Sequence, residues 1–187
     1  MTNNQSRPER DREPHHDDNI MKIITKKSNL CGSKEYIFEE AVSHCRWKTV
    51  LRKNVLIHKE LQEPNLNQFA SKSFDEIILW VYNTFNHIYG IGMLVIYDLA
   101  AGICRYNGIN IDKIYIIGNG PIRAIRLLNI KAKTQKIGCL TLKYVEIPEI
   151  LKVFNEKNYL MPSHIRNSNN GDDFESYICN WQKRGSK

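Results

Sequence analysis

The stretch SFDEIILWVYNTFNHIYGIGMLVIYDLAAGICRYNG, residues 73–108, decides how the rest of the chain is read. It opens with Ser73-Phe74-Asp75-Glu76, the spacing at which a Ser hydroxyl and a Glu carboxylate satisfy each other's unpaired backbone N–H groups, so a helix starts there. Phe74, Ile77, Ile78, Val81, Phe85 and Ile88 recur at helical spacing and give that helix one apolar face. Tyr89-Gly90-Ile91-Gly92 interrupts it, because glycine admits backbone conformations that a β-carbon forbids. The second apolar stretch, Leu94 to Cys104, is hydrophobic nearly all round and is expected to be a buried helix. Asn107-Gly108 supplies its left-handed stop.

Upstream, Phe38, Ala41, Val42 and Cys45, then Val55, Leu56 and Leu61, predict one or two amphipathic helices between Glu35 and Leu61, anchored by Trp47. His44 and His58 are expected on these helices as ordinary surface or core histidines. Pro64-Asn65-Leu66-Asn67 predicts a turn. Residues 1–20 lack hydrophobic periodicity and are expected to be a disordered tail. His15-His16-Asp17-Asp18 within it has metal-binding side chains but no frame to fix their geometry.

Downstream, Ile109 to Ile117 suits a helix or an extended segment equally. Gly118-Asn119-Gly120 predicts a tight turn, and Pro121, at a first helical position, predicts a helix through Leu128. Pro148 predicts another, carrying Ile150, Leu151, Val153 and Phe154. After a polar loop from Asn167 to Gly171, Asp172 or Asp173 is expected to cap a last helix with Phe174, Tyr177, Ile178 and Trp181. The expected fold is mainly α: a compact bundle of roughly six to eight helices with little sheet. It forms a single helical domain over residues 21–187, with the hairpin at 74–107. A chain of 187 residues can bury enough apolar surface to fold without disulfides or a structural metal.

Composition narrows the function classes. Hydrophobic residues at 42% and charged residues at 25% argue against a fibrous or wholly disordered protein. Cys31, Cys45, Cys104, Cys139 and Cys179 are scattered and never form C-x-x-C, so free thiols are expected and neither a metal nor another cofactor is. No apolar run approaches about 20 residues and the N-terminus lacks a signal-peptide pattern, so a cytoplasmic protein without membrane contact is expected. The net charge is +7. Residues 1–20 hold three basic and five acidic side chains, which leaves 24 basic and 15 acidic for the remainder. From Lys113 to Val145 there are seven basic residues and no acidic one. A field of one sign suits a polyanionic partner.

Residues 77–104 resemble the helix-hairpin-helix motif of nucleic-acid-binding proteins: an apolar helix, a hydrophobic-Gly-hydrophobic-Gly hairpin at Tyr89-Gly90-Ile91-Gly92, and a second apolar helix. The resemblance implies that Ile91 plugs the space between the helices. It also implies that the backbone N–H groups of Gly92, Met93 and Leu94 hold a phosphate at a helix start, without reading bases. Met93 stands where DNA-binding examples favour a polar or basic residue, so charge must come from elsewhere: Lys113, Arg123, Arg126, Lys131, Lys133 and Lys136. Asn119 and Gly120 belong to a second glycine turn 28 residues after the first, a degenerate partner for it. The middle of the chain, from Gly90-Ile91-Gly92 through Tyr97-Asp98-Leu99-Ala100 to Ile114-Tyr115, is also similar to small uncharacterised bacterial proteins with such a hairpin.

The function this implies is a non-catalytic, sequence-independent DNA-binding module, accessory to DNA metabolism or a mobile element. One alternative is a helical adaptor whose basic stretch meets an acidic protein. Another is a similarity to base-excision glycosylases, with Asp112, 22 residues beyond Gly90, stabilising positive charge on the sugar. Leu94 stands where bifunctional members of that family carry a nucleophilic lysine. Otherwise Asp112 is expected to cap a short helix beginning near Lys113. Asp98 is expected to pair with Arg105 or stay exposed. Tyr89, Tyr97, Tyr106, Tyr115 and Trp181 can stack on bases where exposed, although aromatic residues at helical spacing usually pack.

Overall fold

The computed structural model describes Ile37, Ala41 and residues 54–183. The expectations for the tail at 1–20, for His15-His16-Asp17-Asp18, for His44 and for Trp47 lie outside the described residues. Ile37 and Ala41 are helical and buried. The elements that follow are α1 (Val55–Glu60), α2 (Glu63–Asn67), α3 (Phe74–Phe85), α4 (Met93–Tyr106), β1 (Lys113–Tyr115), α5 (Asn119–Leu128), β2 (Lys133–Ile137), β3 (Leu140–Glu146), α6 (Ile147–Glu156), α7 (Ser163–Arg166) and α8 (Gly171–Trp181).

The expected all-helical bundle is corrected to a mixture of helices and sheet. Three strands form an antiparallel sheet in the order β1-β3-β2. Ile137 pairs with Leu140, leaving Gly138-Cys139 as a two-residue turn, and Gly138 supplies the positive φ of 57° that such a hairpin needs at its first position. Leu140, Leu142 and Tyr144 alternate with polar residues along β3, the period of a strand buried on one face. The lysines and threonines of β2 obscure that period in the sequence. The ambiguous segment after α4 resolves as extended: β1 pairs Ile114 with Val145 and Tyr115 with Tyr144.

The sheet divides two hydrophobic clusters. Tyr115, Ile137, Leu140 and Leu142 face α3 and α4, whose Ile77, Ile78, Val81, Phe85, Ile96 and Leu99 are buried there. On the other face, Ile114 and Val145 join α5, α6 and α8 through Ala124, Ile125, Ile150, Phe154, Phe174 and Ile178. Each large apolar side chain so covered contributes about 1.5–3 kcal/mol. The result is a helix-sheet-helix sandwich rather than a bundle.

The capping box is present: Glu76 N donates to Ser73 Oγ at 3.3 Å and Ser73 N to Glu76 Oε2 at 3.0 Å. Lys72, followed by the Ser73 backbone and hydroxyl, holds the Glu76 carboxyl down at about 2. Helix α4 ends as read, with Gly108 at φ 67° and Ile109 N donating to Cys104 O at 2.8 Å. Three local expectations change. Residues expected as a turn at Pro64–Asn67 lie within α2. Pro121 is the third residue of α5, whose N-cap is Gly118. The last helix is capped by Asn170, whose side chain accepts from Asp172 N at 3.1 Å, and Asp172 is instead buried against Arg105. Among the described residues no helix is long and apolar enough to cross a membrane.

Candidate nucleic-acid interface

Helix α3 stops at Phe85. Ile88 N donates to Phe85 O at 3.0 Å and Ile91 N to Ile88 O at 3.1 Å, which winds the chain through two tight turns. Gly90 takes a φ of 90°, a conformation that disfavours a β-carbon. Ile91 is buried in the cluster shared by α3 and α4, while Tyr89 is 72% exposed and Gly92 is exposed. The corner therefore turns one apolar side chain inward and leaves its backbone at the surface.

Gly92 is the N-cap of α4, with φ −104° and ψ 178°, and no side-chain cap bond is made there. The first bond of the helix runs from Ile96 N to Gly92 O at 3.1 Å. The N–H groups of Met93, Leu94 and Val95 precede it and carry the partial positive charge of a helix start. Met93 and Leu94 are half-buried and pack against the core, so what they offer a ligand is backbone.

The second glycine turn lies beside the first. Gly118, at φ 82°, is the N-cap of α5, also without a side-chain cap bond. A β-carbon on Gly118 would meet Leu94 Cδ1 at 3.4 Å and Cδ2 at 3.8 Å. Two helix starts separated in sequence are thus neighbours in space, joined across the second residue of α4. Asn119 is exposed beside them. Gly120 has a different reason for being glycine: the side chain of Cys179 on α8 occupies the space a β-carbon would need.

The basic residues divide into two groups. Arg123 and Arg126 are exposed on one face of α5, three residues apart, and Lys131, Lys136 and Lys143 are exposed on the connection to β2 and on the hairpin. None of these five makes an ion pair among the described residues. Lys113 and Lys133 are engaged within the protein. Lys113 donates to Gln135 Oε1 at 3.0 Å, lies 3.7 Å from Asp112 and sits 5.3 Å from the centroid of the Tyr144 ring. Gln135 in turn donates to Asp75 Oδ2 at 2.6 Å, and the Tyr115 hydroxyl donates to Asp75 Oδ1 at 3.0 Å. Burial, reinforced by Asp75, pushes that hydroxyl well above its usual pKa. Lys133 pairs with Glu149 at 3.1 Å and Glu146 at 3.6 Å, and the bond to Glu149 raises its pKa.

Asp112 enters strand β1, so the helix it was expected to cap is absent; its side chain is 76% exposed beside Lys113. Arg105 binds Asp172 and Asp173. Tyr97 and Tyr115 are core residues, Trp181 packs on Phe154 and Tyr159, and Tyr106 is half-buried. Of these five aromatics, Tyr89 alone is exposed, and it adjoins Gly90. Composition does not reveal the adjacency of the two glycine turns. The available signal is that each turn places a glycine just before a helix.

No protein-family model matches the chain, and no curated protein or solved structure matches it.

Proposed function

We propose that the chain is a non-catalytic module that binds the sugar-phosphate backbone of DNA without reading its sequence, as an accessory in DNA metabolism. The observation that carries this reading is the contact, through Leu94, of two partly exposed helix starts with glycine N-caps, those of α4 and α5, neither capped by a side chain. Each start is equivalent to about half a positive charge, and glycine lets a phosphate oxygen approach the amides closely. Arg123, in the second turn of α5, and Arg126, in its last turn, add full charges along the same face. Contacts of this kind set position and affinity but carry no base information. Binding weakens steeply with salt, because each neutralised phosphate releases a counterion.

The testing substitution is Gly92→Asp. The extended backbone at Gly92 suits an acidic N-cap, and a β-carbon there would have nothing within 4 Å. The new carboxylate caps α4 and stabilises the fold while occupying the amides and repelling phosphate. The expected outcome in thermal melts and gel shifts with random duplex is an equal or higher Tm with at least a tenfold loss of affinity. Unchanged affinity in the stabilised variant would overturn the reading.

A further inference from the structure

We infer that the DNA strand held at the α4 and α5 starts continues across the exposed residues of the β2–β3 hairpin, Thr134, Lys136, Thr141 and Lys143. This rests on the reading above and extends its footprint. The register places Thr134 opposite Lys143 and Lys136 opposite Thr141. Residues opposite one another share a face, and Lys136 and Lys143 are diagonal neighbours on it. All four are exposed. The intervening Ile137, Leu140 and Leu142 are buried on the opposite face, so a one-residue slip that would hide the lysines is closed off by the core.

The hairpin face joins the helix starts through the backbone. Ile116 N donates to Lys143 O at 2.8 Å, and Ile116 lies two residues before the Gly118 N-cap. A path therefore leads from the paired helix starts, past Lys143, to Lys136. These four residues offer two ammonium groups and two hydroxyl donors, with no carboxylate among them. Edge protection explains a lysine on β2, which is an edge strand, because charge there discourages pairing with another chain. It does not explain Lys143, which lies on β3, the central strand of the sheet. A polyanion crossing both strands accounts for both lysines.

The test is fluorescence anisotropy with a labelled single strand and a random duplex, over about 50–200 mM salt. Wild type is compared with Lys136→Gln/Lys143→Gln and with the control Lys152→Gln/Lys157→Gln on the α6 side. Urea midpoints establish that all three are folded. Loss of two phosphate contacts is expected to flatten the slope of log K against log salt by about 1.4 on the single strand or about 1.8 on duplex, with the control at the wild-type slope. The arm that shows the change identifies which form of DNA crosses the hairpin. A hairpin variant with the wild-type slope would overturn this inference and leave the helix-start reading standing. Equal flattening in the control would also overturn it, because binding would then be diffuse. Absence of salt-dependent binding by wild type would remove both proposals.

Discussion

Arg105 on α4 and Asp172 on α8, 67 residues apart in the chain, form a buried ion pair that ties together the helical layers on the two sides of the sheet. Arg105 Nε donates to Asp172 Oδ2 at 2.7 Å, and its terminal nitrogen bonds both Asp172 and Asp173. The Tyr97 hydroxyl donates to Asp172 Oδ1 at 3.2 Å. Burial by itself would favour loss of the guanidinium proton, but Asp172 and then Asp173 outweigh it and raise the pKa further. Burial, aided by Asp172, likewise keeps the Tyr97 hydroxyl protonated.

Removing Arg105 leaves the buried Asp172 carboxylate without the guanidinium that neutralises it. Arg105→Leu is expected to destabilise the protein by about 3–5 kcal/mol, the range for an uncompensated buried ion. Replacing both members with apolar residues, as in Arg105→Leu/Asp172→Leu, should cost less than the sum of the two single changes. Urea denaturation of the four-member cycle measures this. Additive losses would show that the two side chains are not coupled.

Two glycines should differ in how much a methyl group costs them. Gly171 N donates to Ile111 O at 2.6 Å, and the Lys113 carbonyl fills the place of a Gly171 β-carbon. Gly171→Ala must push α8 away from β1 and is expected to cost about 3 kcal/mol, the upper part of the range for overpacking. Gly92→Ala meets open space and should change stability by less than about 1 kcal/mol. Thermal melts of the two variants distinguish a glycine demanded by packing from one that packing does not demand.

The capping box of α3 sets a pH dependence. The Glu76 carboxyl is lowered from 4.5 to about 2 by Lys72 and Ser73, so the unfolded state binds its proton first as pH falls. Its contribution is present in full above pH 4.5 and is lost as pH drops towards 2. The stability difference between wild type and Glu76→Gln should therefore be constant above about pH 5.5 and shrink between pH 4.5 and 2. A difference that does not change over that interval would place the effect elsewhere.

Thiol reactivity should follow burial. Cys139 is exposed in the β2–β3 turn, whereas Cys104 is buried in α4. Burial, then Asp172, pushes the Cys104 thiol up to about 12, leaving roughly one thiolate in ten thousand at pH 8. Brief iodoacetamide treatment at that pH should alkylate Cys139 and spare Cys104 until denaturant is added, as read by peptide mass mapping. Early labelling of Cys104 would show that the α4 layer opens locally.

The parts legible in the sequence are those whose cause is local. Ser73 and Glu76 lie within reach of each other as soon as one turn forms, and Gly90 and Gly108 permit backbone conformations that their neighbours resist. The apolar residues of α4 occur on every side, which announces burial without naming the partner. Strand β2 was hidden because Lys133, Thr134, Gln135 and Lys136 are polar on both faces. Only Ile137 points to a core, and a strand with so little apolar period takes its place from β3. The glycines at Gly90 and Gly92 are visible in the sequence as a corner, whereas the packing of Gly118 against Leu94 arises only in the folded chain. Lys113 and Lys133 match the other basic residues in sequence and differ from them through Asp112, Gln135 and Tyr144 for the first and Glu146 and Glu149 for the second.

By itself, the sequence determined the capped start of α3, the stop of α4, which stretch is buried, and that positive charge gathers between Lys113 and Val145, because capping, glycine conformation and charge act over a few residues. Tertiary structure alone decided that a sheet separates two cores, that Arg105 joins Asp172, and that Gly118 packs on Leu94. Those outcomes depend on contacts between segments tens of residues apart, whose selection is made by packing and by pairing of buried charges.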